Sequence, residues 1–167
     1  MTARILVAYV SQKGSTAEIA RAVGKELESA GCRVDVAELN SISSLAHYDA
    51  VVIGAPVYMG RISGDVAGFI ARHKDAIARL PVAGFVTGIA PVFPKAGNVS
   101  TFTGQLAVAL TPLHPVALTM FAGRLDAQQL SFVERGMVSL LKAPTGDFRN
   151  WDAIAAWAGK LPPLLKI

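Results

Sequence analysis

One cysteine in 167 residues, Cys32, leaves no partner for an internal disulfide, so a small disulfide-braced secreted domain is excluded. Cys32 also lacks the Cys-x5-Arg loop of a phosphatase nucleophile. The three histidines, His47, His73 and His114, are far apart, with no metal-ligand spacing and no carboxylate cluster beside them. No metal site is expected, and all three read as structural or surface residues. No apolar run approaches the ~20 residues of a membrane span, and the start lacks a signal-peptide pattern, so a cytoplasmic protein without a transmembrane segment is expected. Neither Gly-x-x-x-x-Gly-Lys-Ser/Thr nor Gly-x-Gly-x-x-Gly occurs. The acidic cluster and phospho-acceptor Asp of a response regulator are also missing from the first strand. Charge is sparse: 16 Lys/Arg against 12 Asp/Glu give +4, scattered, with no basic run interleaved with aromatics. That argues against nucleic acid. A mild positive excess suits an acidic ligand or a peripheral contact with an anionic membrane, and equally a soluble protein of basic pI.

What is present is apolar and regularly spaced. Just over half the residues are apolar, and 167 residues suffice for one globular domain, taken as residues 1–167. Apolar runs predict strands at Ile5–Val10, Ala50–Ala55, Val82–Thr87 and Pro115–Phe121, and alternation predicts a less buried strand at Arg33–Leu39. Helical spacing covers Thr16–Ala30, a segment from a Ser63 cap to about Leu80, Phe102–Leu110 and Ala127–Lys142. A last helix, Trp151–Leu161, follows an Asn150 cap. The stripe of Leu130, Val133, Met137, Leu140 and Leu141 is expected to pack on the sheet, with docking to a membrane or partner as the alternative. Strands alternating with helices predict a doubly wound α/β fold, a parallel sheet covered on both faces. Its ligand would sit beyond the C-terminal strand ends.

Three loops at those ends carry chemistry. The first strand runs into Ser11-Gln12-Lys13-Gly14-Ser15-Thr16, where a helix begins. A helix N-terminus presents unpaired N–H groups and a positive dipole end, which suits a phosphate; simple helix capping is the other reading. The third strand leads into Pro56-Val57-Tyr58-Met59-Gly60. Pro56 is expected to stop the strand's ladder. Tyr58 and Met59 offer flat, polarisable contact to a planar ring, or else seal the sheet edge. The fourth ends in Thr87-Gly88-Ile89-Ala90-Pro91, an apolar loop without acidic residues.

In this order the loops resemble those of the flavodoxins. The chain resembles more narrowly the flavodoxin-domain subgroup that includes the menaquinone-dependent protoporphyrinogen oxidases. The resemblance rests on His47–Ala55 (His-Tyr-Asp-Ala-Val-Val-Ile-Gly-Ala), on Phe121–Asp126, and on the extra helix Ala127–Lys142 followed by Gly146-Asp147-Phe148-Arg149-Asn150-Trp151. It departs at Lys13, where the oxidase pattern is acidic, at Tyr58 and Met59, where that pattern has Arg and Tyr, and in an extra helix nearly devoid of Arg and Tyr.

The resemblance implies a flavodoxin-like five-stranded parallel sheet of order 2-1-3-4-5, with the extra helix between strand 5 and the last helix. It implies FMN as cofactor. Ser11 to Thr16 would hold the phosphate, Pro56–Gly60 and Thr87–Pro91 would flank the ring, and the Gly60 backbone would lie near flavin N5. Arg124 and Asp126 fall on a possible substrate side, Arg124 either meeting an anionic substrate or forming a structural ion pair. The implied activity is an oxidoreductase exchanging electrons with a quinone, a tetrapyrrole, a redox protein or another small-molecule donor or acceptor. A protoporphyrinogen IX dehydrogenase of heme biosynthesis, a non-enzymatic flavodoxin carrier and a flavin-free α/β scaffold are the alternatives.

Overall fold

Strand β1 (Arg4–Tyr9) passes through four successive residues with no exposed surface, Ile5, Leu6, Val7 and Ala8. Successive side chains on a strand point to opposite faces, so burial of all four requires cover on both sides of the sheet. Leu6 and Ala8 join one apolar cluster with Val66, Phe69 and Leu106; Ile5 and Val7 join another with Ile19, Leu27 and Ile154. The structure is a computed structural model that describes residues 2–10 and 14–167.

After β1 come α1 (Ser15–Ser29), β2 (Arg33–Glu38), β3 (Ala50–Tyr58), a short β4 (Arg61–Ile62), α2 (Asp65–Arg72), α3 (Lys74–Ile77) and β5 (Val82–Gly88). Then follow α4 (Val99–Ala109), β6 (Ala117–Ala122), β7 (Arg124–Leu125), α5 (Phe132–Leu141), β8 (Gly146–Asp147), α6 (Trp151–Gly159) and α7 (Leu161–Leu164). Five parallel strands stand in the order β2-β1-β3-β5-β6, the expected 2-1-3-4-5 when these five alone are counted. From β1 the sheet grows first to one side and then to the other. The connections after β1 and β3 therefore diverge, and a crevice opens at the C-terminal edge. α1 and α6 cover one face; α2 and α4 cover the other.

Several elements differ from the sequence expectation. β3 does not stop at Pro56 but continues to Tyr58. The Gly54 carbonyl accepts from Val10 N–H, so by alternation the nitrogen of Pro56 also faces the β1 side, where β1 has already ended. The missing donor therefore breaks no ladder bond to β5. Val57 and Tyr58 then pair antiparallel with Ile62 and Arg61, turning the expected loop into a hairpin. The helix expected to reach Leu80 is instead α2 and α3, separated at His73, whose backbone leaves helical geometry while its ring rests on Phe69 at 4.7 Å. The N-cap of α2 is Gly64 rather than the expected Ser63, whose hydroxyl nevertheless accepts from Asp65 N–H at 3.1 Å. The predicted helix 127–142 begins as a 3-10 turn, and α5 starts only after Ser131, whose hydroxyl and Glu134 form a capping box. None of the residues of α5 is buried, so it does not pack on the sheet.

Gly54 shows how tightly the middle of the sheet is filled. A Cβ there would lie 2.1 Å from the tip of the Phe85 ring, which lies across it and meets Phe121 and Trp157. Gly54→Ala is expected to destabilise the fold by about 2–3 kcal/mol in urea unfolding. Gly104→Ala, with open space at an exposed helical position, should be neutral or stabilising by roughly 0.5–1 kcal/mol.

Candidate functional site

The crevice at the strand ends is a cleft of about 410 Å³. One corner is the start of α1. Gly14, the N-cap of this 15-residue helix, takes the left-handed conformation (φ 85°) and has no side chain of its own to cap the first N–H groups. Those groups and the helix dipole make the corner electropositive. Ser15 and Thr16 line it. The Thr16 and Thr87 hydroxyls share a buried hydrogen bond of 2.7 Å, which ties the first turn of α1 to the end of β5. Whichever hydroxyl donates, the other keeps its proton for another acceptor. Ser11, Gln12 and Lys13 lie outside the described residues.

A second wall is the β3–β4 hairpin, where Pro56, Val57, Tyr58, Met59 and Gly60 all line the cleft. Its two turn residues both have positive φ, Met59 at 52° and Gly60 at 77°. That matches the twist of a tight hairpin, and it costs Met59 some strain that a glycine would not bear. Gln105 of α4 grips the turn from outside. Its Nε2 donates to the Gly60 carbonyl at 3.1 Å, and its Oε1 accepts from Ile62 N–H at 3.2 Å. Tyr58 and Met59 remain about half exposed.

Thr87, Gly88, Ile89 and Ala90 line the third wall, and Pro91 lies off it. At the end of β6, a Cβ on Gly123 would sit 3.6 Å from Gly88 N and 3.8 Å from Ser15 Oγ. β5, the end of β6 and the start of α1 thus meet around Gly123, with ordinary contact room for no more than a small side chain.

The fourth wall was not foreseen. α5 and its approach contribute Leu130, Glu134, Met137, Val138 and Leu141, and Phe93, Lys95 and Phe102 add to the lining. The capping pair Ser131/Glu134 was a legible signal for where this helix starts. Nothing in the local pattern says that it stands over the strand ends.

Arg124 lines the cleft, whereas Asp126 borders an adjoining recess of about 320 Å³. Arg124 reaches Glu18 at 3.9 Å, and Asp126 accepts from Gln128 N–H at 2.9 Å. The stronger ionic contact belongs to Arg149, a residue to which the sequence pattern gave no role of its own. Its side chain is only 7% exposed. It donates to Asp147 at 2.8 and 2.6 Å and to Glu18, and stacks 4.7 Å from the Trp151 ring. The Arg149 hydrogen bonds hold the Asp147 carboxyl down at about 2 and lower that of Glu18; Asp147 in turn raises the Arg149 guanidinium. This cluster fastens the β7–β8 ribbon to the first turn of α1. Cys32 is half-buried, and burial pushes its thiol up, away from a reactive thiolate. No group of metal-binding side chains occurs among the described residues.

Residues 6–152 match the sequence model of the flavodoxin domain. Protoporphyrinogen IX dehydrogenase [quinone] of Escherichia coli is 22% identical over 173 residues, covering 96% of each chain. NAD(P)H dehydrogenase (quinone) of Azorhizobium caulinodans is 32% identical over 90 residues, covering 41% of this chain and 45% of that protein. A flavodoxin mutant of Fusobacterium nucleatum bound to flavin mononucleotide superposes with a TM-score of 0.59 at 12% identity, covering 99% of this chain and 96% of that one. An archaeal flavodoxin gives 0.57 at 14% identity, covering 98% and 99%.

Arg149→Met is expected to destabilise the protein by about 1–2 kcal/mol near pH 6, since both its carboxylate partners keep over two-fifths of their surface in water. Asp147 is held below its ordinary 3.8, so its contribution is complete above that value and is lost as pH falls toward about 2. In urea titrations the gap between wild type and variant should narrow below pH 4. A gap that stays constant there would assign the effect to packing on Trp151.

Proposed function

The chain belongs to the flavodoxin-domain family, and on that premise we propose that it holds FMN in the C-terminal cleft and passes electrons between a donor and a quinone. The observation that carries this reading is a cleft that joins the first turn of α1, at Ser15 and Thr16, to the Tyr58–Gly60 hairpin and the Gly88–Ala90 segment. A ligand with a phosphate at one end and a flat heterocycle at the other needs both kinds of surface. The convergence at Gly123 fits this too, because a larger side chain would fill the space between α1 and β5.

FMN, when bound, supplies the electron exchange. The chain's own part is to bind, orient and exclude water. The first N–H groups of α1 and the Ser15 hydroxyl hold the phosphate, together with the Ser11–Lys13 segment of the same loop. Tyr58, Met59, Ile89 and Ala90 give the ring apolar contact. The Gly60 carbonyl is the hairpin's adjustable acceptor. Turning it toward the cleft gives up the Gln105 hydrogen bond, a net loss of about 1 kcal/mol, with Gly60 free of the steric penalty a side chain would add.

Quinone is favoured as the partner on two grounds. Both named relatives carry it in their names, and the α5 wall is largely apolar. A tetrapyrrole donor is the second reading, supported by the full-length likeness to the E. coli dehydrogenase. Its carboxylates would meet, among the described lining residues, Lys95, the Glu18-paired Arg124 and the opposing Glu134. A carrier that docks on basic partners fits poorly with a net charge of +4.

Purified protein should keep visible flavin absorption through a desalting column after incubation with FMN. Once chemically reduced, it should be reoxidised by a water-soluble benzoquinone. Gly123→Val should weaken FMN binding by about tenfold or more, by crowding the α1–β5 junction, with little change in unfolding midpoint. Loss of all FMN on desalting would remove the redox reading.

A further inference from the structure

Glu18 is an acid placed against the interest of a phosphate site. It lies in the first turn of α1, where its N–H donates to the Gly14 carbonyl at 3.3 Å. A carboxylate in a first turn sits in the positive field of the helix N-terminus and offsets it. An anionic ligand would draw on that same field. Unopposed, the charge of Glu18 would repel a phosphate from the corner it lies beside.

The fold opposes it. Arg149 donates to Glu18 Oε2, and Arg124 stands 3.9 Å from Oε1, so each carboxylate oxygen faces a guanidinium. Both arginines come from the excursion between β6 and α6, far from Glu18 along the chain. Arg149 is fixed by contacts of its own. Asp147 accepts from its Nε and Nη2 at 2.8 and 2.6 Å, and its guanidinium lies 4.7 Å from the centre of the Trp151 ring. So enclosed, its charge is screened little by salt or water. Arg124 and Arg149 against Glu18 and Asp147 sum to zero. Without Arg149 the same cluster carries a net negative charge at the start of α1. The Arg149 bond also holds the Glu18 carboxyl below its ordinary 4.5, so at neutral pH the acid is ionised, and a neighbouring charge rather than a proton must cancel it.

We propose that Arg149, with Arg124 beside it, cancels the charge of Glu18 so that the N-terminus of α1 can accept a phosphate. The inference rests on the FMN reading above and adds a determinant of affinity from outside the cleft, since neither Glu18 nor Arg149 belongs to its lining. Arg149 is a positioning residue that acts on the ligand through Glu18. Its influence falls on the phosphate end alone, so the cluster sets the preference for a phosphorylated flavin over the same ring without phosphate.

The test is titration of the flavin-free full-length chain with FMN and with riboflavin, followed by quenching of flavin fluorescence. Arg149→Met should weaken FMN about tenfold and leave riboflavin within about twofold, and the loss should shrink as salt rises. Adding Glu18→Gln to that variant should return FMN binding to about the wild-type value. Glu18→Gln alone leaves the Asp147 and Trp151 contacts of Arg149 in place, so it should stay folded. It should bind FMN about threefold more tightly than wild type, with riboflavin unchanged, and it decides the matter if Arg149→Met does not fold. Equal losses of FMN and riboflavin in Arg149→Met would assign the cluster to structure alone and overturn the proposal. A double variant as weak as Arg149→Met overturns it too, as does a Glu18→Gln that gains nothing for FMN. A wild type that binds neither flavin removes the cofactor reading and this inference with it. One that binds FMN while the variants depart from these ratios removes the inference alone.

Discussion

A strand buried on both faces has no place for a polar side chain except at its ends. β1 and β3 meet that condition over most of their length, and β5 does so until Thr87. The chemistry is therefore displaced to the C-terminal edge of the sheet, where the first polar groups appear. Thr16 and Thr87 are buried polar residues there, and they satisfy each other across that edge. Their bond brings the start of α1 against the end of β5, and Gly123 closes the same junction from β6. The cleft is thus a by-product of covering the sheet, made where strand order reverses and the covering helices diverge.

Much of this was legible because it is local. A continuous apolar run such as Ala50–Ala55 has few folded destinies other than an inner strand, and Asn150 announces its helix through its own side chain, whereas the Asn98 cap, which starts α4 three residues before the expected Phe102, went unread. The loop residues Tyr58, Met59, Gly88 and Ile89 were placed at the strand ends by counting along the chain, and they do meet at one cleft. The behaviour of Pro56 was not legible. Whether a proline breaks a ladder depends on which neighbour its nitrogen faces, and that is a property of the sheet.

The same limit applies to α5 and Arg149. Periodicity gives a helix its apolar stripe but not its partner: on α5, Met137 and Leu141 line the cleft while Val133 and Leu140 of the same stripe stay exposed. Arg149 draws its importance from Glu18, 131 residues away in sequence, and no spacing rule spans that distance. Both features belong to the excursion between β6 and α6. There the flavodoxin-domain sheet is already complete and the chain is free of its geometric demands. That excursion distinguishes a cleft walled on four sides from an open sheet edge.

Gln105 makes a different kind of point. A primary amide is one of the few side-chain groups that both gives and takes a hydrogen bond, and here the hairpin uses both ends, one at Gly60 and one at Ile62. The turn is thereby read with a sense of direction. A carboxylate of the same length would offer two acceptors and repel the Gly60 carbonyl, and a thioether would fill the space without gripping either end. The orientation of one backbone carbonyl beside the cleft is thus encoded in the asymmetry of a single nitrogen and oxygen on a helix that touches the hairpin from behind. The turn can be retuned by chemistry at α4 while every residue of the hairpin stays as it is.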